Sequence, residues 1–81
     1  MKVKINYEDH EVKPRVRLAQ IVKMVRRRKK NEPMIQTIVK KTGQDHIVFV
    51  VNGRIIQPSD YDSTLLKEGD DIRWIHPFFG G

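Results

Sequence analysis

The last two residues of the 81-residue sequence, Gly80 and Gly81, have the clearest potential for chemistry. They place a carboxylate on a backbone without side chains, and glycine lets a backbone approach its ligand closely. A carboxylate is a poor electrophile, so a reaction at Gly81 first requires conversion to an acyl-adenylate or a similar group. The sequence lacks the phosphate-binding patterns GxGxxG and GxxxxGK(S/T), so a separate enzyme would have to supply this activation. The competing interpretation is that the two glycines are a frayed chain end.

Other residues give little sign of catalysis or metal binding. The sequence contains no cysteine, which excludes a disulfide scaffold, a cysteine-based zinc site and a thiol nucleophile. The histidines have no metal-binding spacing; they are His10, His46 and His76. The paired carboxylates are typical of turns; they are Asp60 with Asp62 and Asp70 with Asp71. We therefore expect no enzymatic activity, no metal site and no bound cofactor.

A single run of basic residues accounts for nearly all of the net charge of +6. Arg26, Arg27 and Arg28 are followed by Lys29 and Lys30, and the remaining basic residues almost balance the acidic ones. Such a run can attract an acidic protein or nucleic acid, or it can be a solvated helix end that complements the helix dipole. Little aromatic interleaving accompanies it, which argues against nucleic acid. Arg26, Arg27 and Arg28 are therefore candidate partner contacts.

The N-terminal residues are predicted to form a β-hairpin. Apolar and polar residues alternate over residues 3–7, as in a half-buried strand. The polar residues 8–10 are turn-prone, and the alternation resumes over residues 12–16. Pro14 would place this second strand at a sheet edge, because proline cannot donate a hydrogen bond to a neighbouring strand.

The period then changes to that of a helix over residues 18–30. Apolar residues recur there at helical spacing and form one stripe, which consists of Leu18, Ile21, Val22 and Val25. Asn31 could cap a second short helix with Pro33 in its first turn, and Gly43 is a suitable left-handed terminator. We expect one main helix and a candidate second short helix.

The second half of the chain is predicted to contain three strands, at residues 47–51, 54–57 and 72–76. Asn52-Gly53 joins the first two, because both residues tolerate positive φ and favour a tight hairpin. An irregular or 3₁₀ segment follows at residues 58–60, and Pro77 ends the last strand.

Apolar residues lie on both faces of these strands. Alternate residues of the 47–51 strand face opposite sides of the sheet, so only one set can face the helix. The other set either forms an exposed docking surface beside the chain end or is covered by the second helix or a loop. Ile75, Phe78 and Phe79 are candidate partner contacts, since aromatic anchors dominate interface energetics.

The predicted element order, β-β-α-(α)-β-β-β, fits an α+β fold with a helix on one sheet face. The first and last strands can pair in parallel at the sheet centre, because the helix provides the crossover. We expect a single domain over residues 1–81 with residues 77–81 as an extended tail, of which 78–81 reach roughly 13 Å at about 3.3 Å per residue. No secretory signal or membrane span is recognisable, so we expect a cytoplasmic location and no membrane partner.

The second half of the chain carries a recognisable set of motifs: Val51-Asn52-Gly53, Ile56, Pro58, Tyr61, Leu66, Glu68-Gly69-Asp70 and the final Gly80-Gly81. This set resembles the pattern of the ThiS/MoaD sulfur-carrier proteins and covers residues 50–81 closely. The resemblance implies the β-grasp, or ubiquitin-like, fold with a mixed sheet of four to five strands. The Val-Asn-Gly block and the short N-terminal hairpin are more similar to ThiS, the thiamine-pathway carrier, than to MoaD.

The resemblance also implies a use for the chain end. An E1-like adenylyltransferase of the ThiF/MoeB type would adenylate Gly81 with ATP, and a sulfur donor would convert it to a thiocarboxylate. The sulfur would then pass to thiazole synthase in thiamine biosynthesis or to the large subunit of molybdopterin synthase. Two other functions stay open: a ubiquitin-like modifier joined to proteins through Gly81, and a nucleic-acid-binding β-grasp module using residues 26–30. The long basic region 26–45 and the bulky Phe78 and Phe79 depart from the family pattern.

Overall fold

The computed structural model describes residues 1–44 and 46–75. Within them the chain forms five strands: β1 (Lys2–Ile5), β2 (Glu8–Glu11), β3 (Val48–Val51), β4 (Arg54–Ile56) and β5 (Asp71–Ile75). The described helices are α1 (Leu18–Lys29) and α2 (Pro33–Thr42), and a 3₁₀ turn spans Pro58–Asp60. Neither described helix has the length and apolar character that a bilayer crossing needs.

The five strands form one mixed sheet in the order β2-β1-β5-β3-β4. β1 and β5 are parallel, with Ile5 opposite Ile72, and the other neighbours are antiparallel. The predicted parallel pairing of the first and last strands is therefore confirmed, and β5 is the central strand. Both described helices lie in the connection between β2 and β3, which gives the α+β arrangement expected from the element order.

The prediction for the N-terminal hairpin is wrong in its turn and in its second strand. The turn is Asn6-Tyr7, where φ is 47° and 72°, and residues 8–10 belong to β2. A two-residue turn with positive φ at both positions matches the twist of the paired strands. Pro14 lies beyond the end of β2 and forms no edge strand, and Val12 and Val16 pack against the core from the connection to α1.

Helix α1 follows the predicted apolar stripe. Its four stripe residues are buried, and the basic run occupies its last turn, where cations favour the negative end of the helix dipole. At its start, the Leu18 N–H donates to the Thr64 carbonyl at 2.9 Å and the Ala19 N–H to the Tyr61 carbonyl at 3.0 Å. These bonds satisfy donors that have no partner within the helix, and they fix α1 to the segment that precedes β5.

Helix α2 confirms the candidate second helix, but its N-cap is Glu32 and not the predicted Asn31. Pro33 takes the first helical position, which suits its fixed φ, so the residue directly before it becomes the cap. Gly43 ends the helix with a φ of 81°, and its N–H donates to the Val39 carbonyl at 2.7 Å. The prediction of a left-handed glycine terminator is therefore confirmed.

The hydrophobic core lies between the helices and one face of the sheet. Its largest fully buried side chains are Phe49, Leu18, Ile72 and Val3. Tyr61 packs edge-on against Phe49, with ring centroids 5.6 Å apart. Truncating a buried leucine or isoleucine to alanine costs about 2–5 kcal/mol, so this small core tolerates little change.

Candidate functional site

The sequence places the candidate reactive end six residues beyond Ile75, where β5 ends. Four predicted site residues, Phe78, Phe79, Gly80 and Gly81, lie outside the described residues, as does His76 of the predicted last strand. Ile75 is the described residue nearest to them in the chain, and it is 55% exposed. The described part of the site is therefore the end of β5 and the sheet face around Ile75.

The side chain of Asn6 holds the end of β5. Its Oδ1 accepts a hydrogen bond from the Trp74 N–H at 2.9 Å, and its Nδ2 donates to the Trp74 carbonyl at 3.4 Å. The Asn6 N–H donates to the Ile72 carbonyl at 2.9 Å. Because Asn6 follows β1 directly, its side chain continues the parallel pairing with β5 where the backbone of β1 has entered the turn. The last described residues before the chain end are thus fixed to the sheet centre.

The sheet face that points away from the helices carries an apolar patch. We name its members the open-face patch: Val48, Val50, Ile55 and Ile75. Val48 lies opposite Ile75 and Val50 lies opposite Ile55, so the side chains form two cross-strand pairs. Ile55 is 62% exposed, and both valines are half-buried. This face is exposed rather than covered by α2, which instead packs Ile35 into the core.

A cation–aromatic contact borders the open-face patch. The Arg73 guanidinium lies 4.5 Å from the centroid of the Tyr7 ring, and Arg73 Nη2 is 3.0 Å from Asp71 Oδ2. Arg73 lies opposite Val50, so the contact bounds the patch on the side of the β1–β2 hairpin. The patch is apolar at its centre and charged at this border, an arrangement common at protein interfaces.

Two of the motifs behind the family resemblance contact each other. Asn52 Nδ2 donates to Asp70 Oδ1, and Asn52 Oδ1 accepts from the Asp71 N–H, both at 2.9 Å. The second carboxylate oxygen of Asp70 accepts from the Lys67 N–H at 2.7 Å, and Asp70 is only 9% exposed. The β3–β4 turn is therefore tied to the turn from which β5 begins.

Strand β1 holds the same turn from its other side. The Gly69 N–H donates to the Lys2 carbonyl at 2.8 Å, and the Lys4 N–H donates to the Asp70 carbonyl at 2.9 Å. The Lys2 N–H also donates to the Glu68 carboxylate. The Glu68-Gly69-Asp70 motif thus anchors the start of β5, while Asn6 anchors its end. These contacts give the motif a positioning role for the strand that leads to the chain end.

The structure divides the predicted basic contacts among different sides of α1. Arg26 lines a groove between α1 and α2. Arg28 lines a different hollow of about 320 Å³, which is also lined by His10 and Trp74. Arg27 lines neither depression. Consecutive residues of a helix lie about 100° apart around its axis, so three consecutive arginines do not share one face. Partner binding by these arginines stays a prediction, and one continuous contact would not include all three.

Potential metal ligands are scattered in the part of the chain that the structure describes. No group of three or more histidine or acidic side chains within residues 1–44 and 46–75 could hold a metal ion. Tyr61 packs against Phe49. Asn52 and Asp70 hydrogen-bond to each other, and each also accepts a hydrogen bond from a backbone N–H. What the described site offers is a constrained strand end beside an apolar surface.

Sequence reasoning missed the two asparagine side chains that position β5. An asparagine directly after a strand is a signal for a positive-φ turn, and that signal was present at Asn6. Its partner Trp74 lies 68 residues away in the chain, and no local pattern connects the two. Asn52 was recognised as a turn residue, but its bond to Asp70 also depends on the tertiary fold.

Comparison with protein families decides the relationship. A model of the ThiS family matches residues 3–81. This chain belongs to the ThiS family. The match begins at Val3 within β1, covers the other described strands and helices and extends through Gly81, so it confirms the resemblance inferred from the motifs and its ThiS side.

Two solved structures share the fold of this ThiS-family chain. A crystal structure of the thiamine biosynthesis protein ThiS from Geobacter metallireducens has a TM-score of 0.68 and 16% identity, with 100% of each chain covered. A solution NMR structure of a thiamine biosynthesis protein from the same organism has a TM-score of 0.60 and 16% identity, covering 100% of this chain and 87% of that chain. They establish the predicted β-grasp fold. Among curated proteins, no match to the sequence is found.

Proposed function

We propose that this protein is a sulfur carrier in thiamine biosynthesis and bears its sulfur as a thiocarboxylate on Gly81. The observation that carries the proposal is the match of the ThiS family model to residues 3–81, which includes Gly80 and Gly81. The absence of cysteine from the sequence supports it, because a carried sulfur then has no side-chain thiol to use. The backbone carboxyl group of Gly81 can carry the sulfur instead.

Loading of the carrier requires two displacement steps. In the first, a carboxylate oxygen of Gly81 attacks the α-phosphorus of ATP, and pyrophosphate leaves. In the second, hydrosulfide attacks the carbonyl carbon of the acyl-adenylate, and AMP leaves with the former carboxylate oxygen. The sulfur proton passes to solvent, and neither step consumes an oxidant or a reductant. An E1-like adenylyltransferase supplies the nucleotide site for both steps, since the carrier has no phosphate-binding loop.

The contribution of this chain is to present the carboxyl group and to dock the enzyme. Ile75 ends a central strand that Asn6 fixes on one side and β3 fixes on the other. A constrained anchor lowers the entropy lost when the chain end enters an active site. The open-face patch provides exposed apolar area next to this anchor, where a partner protein gains most from burial.

Membership of the ThiS family implies two partners. We propose an E1-like adenylyltransferase as the activating enzyme and thiazole synthase as the sulfur acceptor. Both enzymes need the same carboxyl carbon of Gly81 in their active sites, so they bind the carrier one after the other. Competition between them for the loaded protein is the expected behaviour.

Intact-mass spectrometry tests the loading step. The protein is incubated with a ThiF-type adenylyltransferase, Mg-ATP and sodium sulfide. We expect the exchange of one oxygen for one sulfur, located on Gly81 by fragmentation, together with release of AMP and pyrophosphate. A reaction without ATP and a variant lacking Gly81 serve as controls and should keep their mass. An unchanged mass with several adenylyltransferases of this type would overturn the proposal.

The acceptor is tested with the loaded protein. We expect sulfur transfer to thiazole synthase supplied with its substrates and none to the large subunit of molybdopterin synthase. Transfer to the second enzyme alone would contradict the thiamine assignment while keeping the carrier role. Covalent conjugates in cell extract that disappear when Gly81 is deleted would instead indicate a protein modifier.

A further inference from the structure

We infer that a groove between α1 and α2 is a docking site for an acidic, aliphatic-bearing segment of a partner protein. The groove encloses about 360 Å³ and lies on the helix side of the sheet, opposite the open-face patch. We name it the helical groove, and its walls and floor are formed by Arg26, Lys29, Lys30, Ile35, Val39 and Lys40. Its use does not depend on the sulfur chemistry proposed above.

The floor of the helical groove is apolar. Ile35 and Ile47 are nearly fully buried at its base, with exposed fractions of 4% and 5%, while Val39 above them is 40% exposed. An exposed valine over two buried isoleucines gives a binding segment an apolar surface to cover. The gain from covering it is hydrophobic and selects aliphatic side chains.

The rim of the helical groove is basic on both sides. Arg26, Lys29 and Lys30 have the i, i+3 and i+4 spacing that places side chains on one helix face, and Lys40 faces them from α2. The Lys29 ammonium is already engaged, since its Nζ lies 2.9 Å from Glu32 Oε1 and 5.1 Å from the centroid of the Trp74 ring, so Lys30 and Lys40 are the rim cations that the charge-reversal test addresses. No described residue of the lining is acidic. The rim therefore complements a negatively charged ligand, and it gives part of the basic run a common direction.

The shape of the surface favours a polypeptide segment. The helical groove adjoins a second depression of about 690 Å³ that reaches Pro58 and Tyr61, and the two share Arg26, Val39 and Ile47. An apolar floor with cations along its rim, continued by a second depression, matches an amphipathic segment that carries aliphatic residues on one face and carboxylates beside them. A nucleic acid strand would leave the aliphatic floor uncovered, and the helical groove itself has no aromatic side chain for base stacking.

Titration with a designed peptide tests the site. The probe is a synthetic helical peptide with leucine at i, i+3, i+4 and i+7 and glutamate at the flanking positions. Its matched controls carry lysine in place of glutamate or alanine in place of leucine. We expect the acidic leucine peptide alone to bind, with NMR amide shifts concentrated at residues 26–40 and at Ile47. Binding of all three peptides, or shifts located on the open-face patch, would overturn the inference.

Charge reversal at the rim supplies the matched variants. Lys30→Glu with Lys40→Glu should weaken peptide binding by about tenfold, because each reversal turns an attraction across the rim into a repulsion. Arg27→Glu with Lys41→Glu changes the net charge equally on exposed residues outside the helical groove and should leave binding nearly unchanged. An equal loss in both double variants would show that only net charge matters and would contradict the site.

A substitution on the apolar floor tests the hydrophobic contribution to peptide binding. Val39→Ser should also weaken binding, whereas Met34→Ser, on the same helix and 50% exposed, should not. Thermal unfolding verifies that each variant is folded. If Val39→Ser is unfolded, the charge-reversal variants at the exposed rim still decide the test. Tighter binding of a single-stranded oligonucleotide or of anionic vesicles than of the acidic peptide would assign the surface to a different ligand and overturn the inference.

Discussion

Asn6 and Trp74, 68 positions apart in the sequence, are joined by two hydrogen bonds through the Asn6 side chain. Asn6 also begins the β1–β2 turn, with a φ of 47° that asparagine adopts more readily than most residues. One side chain therefore combines turn formation with the anchoring of β5. The two contributions can be separated by the choice of substitution.

Replacement of Asn6 by glycine should remove the anchor without straining the turn. We expect Asn6→Gly to lower the free energy of unfolding by about 1–3 kcal/mol, because the Trp74 N–H and carbonyl lose a partner in a partly buried position. Asn6→Ala should cost about 1–2 kcal/mol more, since alanine disfavours the left-handed conformation. Urea denaturation measures both values. Hydrogen exchange at the Trp74 amide should accelerate in both variants, and unchanged protection in Asn6→Gly would contradict the anchoring role.

Loss of the Asp70 carboxylate should release the turn before β5. Asp70→Ala removes the acceptors used by Asn52 Nδ2 and the Lys67 N–H, so we expect a loss of about 1–3 kcal/mol in the free energy of unfolding. Asp62→Ala is the matched control, because Asp62 is exposed and its replacement should change stability by less than about 0.5 kcal/mol. Equal effects of the two substitutions in chemical denaturation would refute the bridging role of Asp70.

Elements with strong hydrophobic periodicity were predictable from the sequence. The stripe from Leu18 to Val25, the Asn52-Gly53 turn and the apolar β3 each carry a local signal that the fold obeys. Strand β2 carries no such signal, because residues 8–11 are polar and pair through their backbone at the sheet edge. The alternation at Val12 and Val16 reflects loop residues that pack on the core, which imitates a strand pattern.

The chemistry proposed for the candidate site is read from the sequence, whereas the contacts that support the site depend on the tertiary fold. The Gly80-Gly81 end and Ile75 are visible in the sequence, because a bare glycine end and an apolar strand residue need no tertiary information. The contacts of Asn6 with Trp74 and of Asn52 with Asp70 depend on which strands become neighbours. The helical groove depends likewise on how α2 packs against α1.

Strain in the β1–β2 turn should be visible at Tyr7. Tyr7 has a φ of 72°, which costs a non-glycine residue about 1–2 kcal/mol, and its ring contacts Arg73. Tyr7→Ala loses the cation–π contact and keeps the strain, whereas Tyr7→Gly loses the contact and relieves the strain. We therefore expect Tyr7→Gly to be more stable than Tyr7→Ala by about 1 kcal/mol in urea denaturation. The reverse order of stability would argue against strain at this position.

Docking through the open-face patch should depend on Ile75. This residue is 55% exposed and is the last described residue before the proposed reactive end in the sequence, so Ile75→Ser should remove partner contacts with little effect on stability. We expect kcat/KM for adenylation to fall by about tenfold, which is the loss of a contact worth about 1.4 kcal/mol. KM should carry most of the change and kcat little, because Ile75 contributes binding that is equal in the ground and transition states.

The matched control for Ile75 lies on the other side of the sheet. Met34 is 50% exposed on α2, so Met34→Ser removes a similar apolar area far from the open-face patch and should leave kcat/KM unchanged. Ile55 belongs to the open-face patch but lies on the edge strand β4. Ile55→Ser should therefore lower kcat/KM less than Ile75→Ser does. If Ile75→Ser lowered kcat with KM unchanged, the residue would act on the positioning of the carboxyl group and not on docking.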